Sequence, residues 1–269
     1  MARYNKKRAR ELKHDAFRDK TISVFDQLGD RLEGRGRTIL YGLLGLILLA
    51  LLAGVFSWWR GKHADEAQRA LGRAIEIAEA PVSPTPQAGA TGPTFTSDKE
   101  RAQRAVEEFQ KVELKYGDPY KTLAHYFRAA NLLTVDRPSG IKELESLTHA
   151  GNDEVAARAR FALAQAREGE GQLDAAAALY SELAKANTDT VPADTANLRL
   201  AGIYEKQGKQ QEAADILFRI VDAARKARDK DNKPVPQSAA ARAAADRLER
   251  IDPARFAQLP PEPPRDLPF

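Results

Sequence analysis

The chain has 269 residues, 42 Lys+Arg against 38 Asp+Glu, and no cysteine. The missing cysteines exclude disulfides, thiolate metal sites and cysteine nucleophiles together. The basic balance does not point to nucleic acid, because the excess lies at one end: residues 1–37 hold 11 basic against 6 acidic side chains, and residues 60–269 hold 31 against 32.

Residues 1–37 read as a basic, amphipathic segment. Arg3, Lys6, Lys7, Arg8, Arg10 and Lys13 come first. Leu12, Ala16, Val24, Leu28 and Leu32 then recur largely at fours, the spacing of one apolar helix face. Such a face rests on a membrane with its basic groups toward anionic headgroups, or it is a plain topology signal.

Residues 38–59, TILYGLLGLILLALLAGVFSWW, carry no charge. At about 1.5 Å per residue a helix of this length crosses a hydrocarbon core of about 30 Å. Tyr41, Trp58 and Trp59 stand where aromatic rings meet the membrane boundary. The sequence predicts one transmembrane helix. The basic leader places the N-terminus in the cytoplasm and the C-terminal domain outside, in the periplasm if the cell is a Gram-negative bacterium, with the lipid bilayer as a partner. A cleavable signal peptide fits poorly, since the leader and the apolar run are both too long. Ala50 and Gly54 form a small-xxx-small pair that admits a close helix neighbour.

Residues 60–80 continue helically, with Ala67, Ala70, Leu71, Ala74, Ile75 and Ala78 on one stripe. Residues 81–96 are Pro/Gly-rich and read as a linker or an excursion between helices. Ser97-Asp98-Lys99-Glu100 has the capping-box pattern and opens a helix to about Tyr116. Asp118-Pro119 reads as a helix start before 120–133, and 136–140 as a turn before a helix at 141–147. Helices follow at 153–168, 173–185, 192–207 and 211–228, and Ser238 caps a last one to about Arg250. Residues 251–269 read as a Pro-rich tail.

Two helix pairs are alike. Leu163–Leu183 and Leu200–Ile220 align at an offset of 37 residues, with Gly171 on Gly208, Ala176 on Ala213 and Leu163-Ala164 on Leu200-Ala201. The glycines permit a tight turn, and the alanines permit close helix approach. On these residues, with Tyr204 and Glu212, the chain resembles the tetratricopeptide repeat superfamily over roughly 97–250. The fold class expected is all-α: one transmembrane helix followed by a tetratricopeptide-like α-solenoid of helical hairpins, with 97–150 a degenerate unit and a half. The layout resembles the membrane-anchored ancillary subunit family of the bacterial Sec translocon. That resemblance implies a periplasmic scaffold whose partners are translocon subunits, periplasmic chaperones or envelope proteins. A self-associating envelope scaffold for wall or outer-membrane assembly is the alternative, and homo-oligomers stay open.

Chemistry is not expected. His14, His63, His125 and His149 lack a second histidine at metal spacing, and no His-Glu-x-x-His, Gly-x-Ser-x-Gly or phosphate-loop motif occurs. No catalytic residue, cofactor or metal is assigned, and no nucleic-acid partner. In solenoids the first helix of each pair lines a docking face. The resemblance puts Arg158, Phe161, Gln165 and Glu168 there from one unit, and Thr195, Leu198, Gly202 and Glu205 from the next.

Overall fold

The computed structural model describes residues 36–83 and 92–262, the side chains at 36–40, 43 and 54–62 excepted. The basic segment expected at 1–37 lies outside the described residues apart from its last two positions. The chain divides into two compact units, Met1–Ala64 and Asp65–Phe269.

The described part of the first unit, from Gly36 onward, is helix. Helix α1 (Gly36–Ala78) begins here, and Tyr41, Leu44, Leu46, Ile47, Leu48, Leu49, Leu51 and Leu52 on it are all exposed. Among the described residues no helix is long and apolar enough to cross a membrane, so the span expected at 38–59 is not found there. That span reaches at both ends into residues whose side chains fall outside the description. Ala50 is exposed, and Gly54 lies among the excepted positions.

The second unit takes in the end of α1 and the helices α2 (Asp98–Lys115), α3 (Tyr120–Val135), α4 (Arg137–Leu147), α5 (Asp153–Gly169), α6 (Leu173–Ala186), α7 (Ala193–Lys206), α8 (Gln210–Lys226), α9 (Ala239–Ile251) and the one-turn α10 (Pro253–Phe256). No strand occurs among the described residues, only two isolated bridges. From α2 onward each helix packs on the next, and α3 also meets α5 and α7 meets α9. Nearest-neighbour stacking of this kind is what a solenoid requires.

The caps show why the helices start where they do. Ser97 Oγ accepts from Glu100 N at 3.2 Å, and Glu100 reaches back one residue beyond the expected box to accept from Thr96 N at 2.9 Å. Asn152 caps α5, Ser238 caps α9 and Asp252 caps α10, each accepting from the amide three residues on. After Asp118-Pro119 the helix starts at Tyr120 as expected, but its N-cap is Pro119 and not Asp118, and Asp118 Oδ1 accepts from Thr122 N at 3.2 Å.

The stretch 136–140 is not a turn. Asp136 caps α4, Pro138 lies in its first turn, and Gly140 is already inside the helix. Proline lacks an amide hydrogen that the first helical turn does not use. At the described ends of 81–96, Ser83 N donates to Phe95 O and Phe95 N to Pro81 O, at 2.9 and 3.2 Å. Beyond Arg250 the chain is not all tail. Leu259 is buried, and Arg225 donates to Pro260 O at 2.5 Å.

One packing register recurs four times. Ala105, Phe109 and Val112 on α2 are buried, as are Gly140, Leu144 and Leu147 on α4, Ala176, Tyr180 and Leu183 on α6, and Ala213, Leu217 and Ile220 on α8. Each set has a small residue followed by large ones four and seven positions on, at successive offsets of 35, 36 and 37. The small residue lets the second helix of a pair close on the first. The large ones fill the space behind it.

The turns agree. Gly171 and Gly208 both have φ of 74°. Their neighbours make matching bonds: Gln172 N donates to Arg167 O and Lys209 N to Tyr204 O, each at 2.9 Å, the helix end that a left-handed glycine permits. A Cβ at either glycine would meet nothing within 4 Å, so only the backbone demands glycine. Gly171→Ala and Gly208→Ala should each cost about 1–2 kcal/mol, read as a lowered urea midpoint at unchanged slope.

Position 167, where Tyr204 has its counterpart, holds arginine. Arg167 donates to Gln172 Oε1 at 2.9 Å, and Lys209, the counterpart of Gln172, lies over the Tyr204 ring at 5.4 Å. The same pair of positions clasps the turn in both hairpins with different chemistry.

Candidate functional site

The expected stripe lies on α5 and α7. On α5, Arg158, Phe161 and Glu168 are half-buried and Gln165 is exposed; on α7, Thr195, Leu198, Gly202 and Glu205 are half-buried. Phe161 meets the Tyr180 ring edge-on, with centroids 5.8 Å apart at 68°. It therefore serves the core on one side and solvent on the other. The Tyr180 hydroxyl donates to Glu168 Oε2 at 3.2 Å, and Lys206 of α7 donates to Glu168 Oε1 at 2.5 Å. Glu168 thus links α5, α6 and α7.

Burial pushes the Tyr180 phenol well above its ordinary pKa; the Glu168 charge and hydrogen bond add to this, and Arg199 opposes it. Above about pH 10 an unfolded chain ionises its tyrosines, while the folded chain keeps this proton. The contribution of this tyrosine to stability is therefore constant below about pH 10 and falls above it. Tyr180→Phe should make the fall shallower, measured as thermal midpoints from pH 9 to 11.5. The Tyr126 phenol, also raised by burial with Arg158 opposing, leaves a residual slope of the same sign.

That influence of Arg158 on Tyr126 brings α3 into the stripe. Tyr126 precedes Phe161 by 35 residues, two fewer than separate Phe161 from Leu198, and is half-buried. Arg158 donates to Glu154 Oε1 at 2.5 Å. The pair lines an open hollow of about 520 Å³ with Asp153, Thr188, Asp189 and Thr190. The α7 part of the stripe is covered differently. Arg247 of α9 donates to Leu198 O at 3.5 Å, and its Nε lies 3.3 Å from Glu205 Oε1. Tyr126, Lys206 and Arg247 are the residues that sequence reasoning missed. The 37-residue offset points from Phe161 to Ala124 and misses Tyr126. It misses Arg247 because the 229–237 loop breaks the period before α9.

Another charged cluster lies off the stripe. Arg128 bridges Glu113 and Glu143 at 2.9 and 3.0 Å, with His125 3.8 and 3.6 Å from the same two carboxylates. It fastens α2, α3 and α4 together. Among the described residues no group of three or more His, Asp or Glu side chains is arranged to hold a metal ion.

The stripe offers half-exposed aromatic and aliphatic surface between charged side chains, which suits a polypeptide partner. No family model matches the chain, and no curated protein matches it. Two solved structures are similar to it, both of nearly identical TPR-like repeats from a Podosopora anserina protein described as a kinesin light chain, one of them a point variant. Identity is 15% in each case, covering 73% of this chain and 89% or 90% of the other, with TM-scores of 0.48 and 0.49. Likeness at that level carries no weight on function. The repeat reading rests on the recurring registers and paired turns.

Proposed function

We propose that this protein is a membrane-anchored scaffold for protein–protein interaction. One span at 38–59 holds it, with the N-terminus cytoplasmic and the repeat domain in the periplasm, where it assists secretion or periplasmic folding at the Sec translocon. The observation that carries the scaffold reading is the stack of hairpins in one register, whose first helices share a half-exposed stripe through Tyr126, Phe161 and Leu198. The anchor is supported by the leucines of α1, exposed at positions 44, 46, 48, 49, 51 and 52. Those positions, with Ile47, fall on most sides of a helix, and water is a poor neighbour for so large a contiguous apolar surface. Orientation is supported by the basic leader, and the translocon by resemblance of layout.

The second reading is a self-associating envelope scaffold, favoured by Ala50, a small exposed residue among the α1 leucines. Purification of the full chain from membranes separates the two. Translocon subunits in the eluate support the first. Wall-assembly proteins, or the chain alone, support the second.

Topology is tested independently with reporters fused after Phe269. The expected result is activity from a reporter that works only in the periplasm. Activity from a cytoplasmic reporter instead would refute the localisation.

A further inference from the structure

Gly202 has no backbone reason to be glycine. It lies inside α7 with an ordinary helical φ, where glycine is less favourable than alanine. What a side chain would meet is an arginine: a Cβ there would lie 3.0 Å from Arg247 Nη1 and 3.8 Å from its Cζ and Nη2. Around that guanidinium stand the Leu198 carbonyl, accepting at 3.5 Å, and Glu205, whose Oε1 is buried, has no hydrogen bond and lies 3.3 Å from Arg247 Nε.

We infer that Leu198 O, Gly202 and Glu205 form a guanidinium socket, and that Arg247 fills it to latch α9 onto the first-helix stripe. The missing side chain supplies the space, the carbonyl supplies an acceptor along the helix, and the carboxylate supplies the charge. The broad guanidinium lets Nη1 donate to the carbonyl while Nε lies in ion-pair range of the carboxylate, a reach that a compact ammonium lacks. The equivalent socket one hairpin earlier has Gln165 in place of Gly202, and its glutamate, Glu168, takes Lys206 instead. The arginine latch is therefore particular to the last hairpin, where α9 has no second helix of a regular pair to hold it. The latch rests on the geometry of these side chains and not on the scaffold function.

The test is amide hydrogen exchange of α9 in the full chain. Gly202→Ala and Arg247→Ala should each speed α9 exchange about fivefold, the equivalent of about 1 kcal/mol for a partly exposed charged contact. The double variant should be no faster than Arg247→Ala alone. Arg247→Lys should behave as Arg247→Ala. Exchange in α5 and α6 should stay unchanged in all four, which separates loss of the latch from general unfolding. Additive effects of Gly202→Ala and Arg247→Ala, or full protection with lysine, would overturn the inference.

Discussion

Gly140→Val should lower the stability of the repeat domain by about 3 kcal/mol. A Cβ at this position would lie 2.7 Å from Leu133 N and 3.0 Å from Ala129 O. Both are backbone atoms of α3, and backbone cannot swing aside as a side-chain tip does. Either the α3–α4 pair opens or the atoms overlap, and overpacking of this kind costs about 1–3 kcal/mol even for small additions. Gly140→Ala recovers about 1 kcal/mol through helix preference and should fall between wild type and valine. Gly151→Ala is the control: a Cβ there meets nothing within 4 Å and its φ is not positive, so the change should stay within about 0.5 kcal/mol. Chemical denaturation at constant slope measures all three.

Phe109→Ala should cost about 3–5 kcal/mol. The ring has no exposed surface and stacks on Phe127 of α3, with centroids 5.3 Å apart at 17°. It also joins Leu71 and Ala74 from the end of α1 in one cluster with Ala105, Val112 and Ala124. Truncation leaves a cavity that three helices border, so relaxation of any one cannot fill it. Hydrogen exchange should show the loss spreading through α2 and α3 while α7 and α8, which belong to a different cluster, keep their protection. Nearest-neighbour stability in a repeat array requires that locality. A uniform loss across all helices would instead mean a single cooperative core.

These two residues also mark what could be read in the sequence. The 37-residue offset between Gly171 and Gly208 was visible because both turns use a left-handed glycine and carry the same length. The α3–α4 pair shares the packing register but not the turn. Its junction is the single residue Asp136, so the small residue of α4 comes one position early and is a glycine placed for packing. Pro138 and Gly140 together look like breakers, although the first occupies a helix start and the second a helix contact. The α1–α2 pair was hidden by the Pro/Gly-rich stretch 81–96 between its helices.

The stripe was legible in outline. The offset placed Phe161 against Leu198 and Glu168 against Glu205. It could not show that both glutamates are already engaged by cations of neighbouring helices, since Lys206 and Arg247 do not repeat. Phe161 is both core and surface, a distinction that depends on Tyr180 arriving from α6.

Photo-crosslinking in living cells shows whether a partner docks on the first-helix stripe. A photoreactive residue replaces Gln165, exposed on the stripe, or Glu182, exposed on α6 outside the stripe. A discrete crosslinked protein is expected from position 165 and none from 182. No adduct at 165, or the same adducts from both positions, would contradict a scaffold that docks its partner on the first-helix stripe.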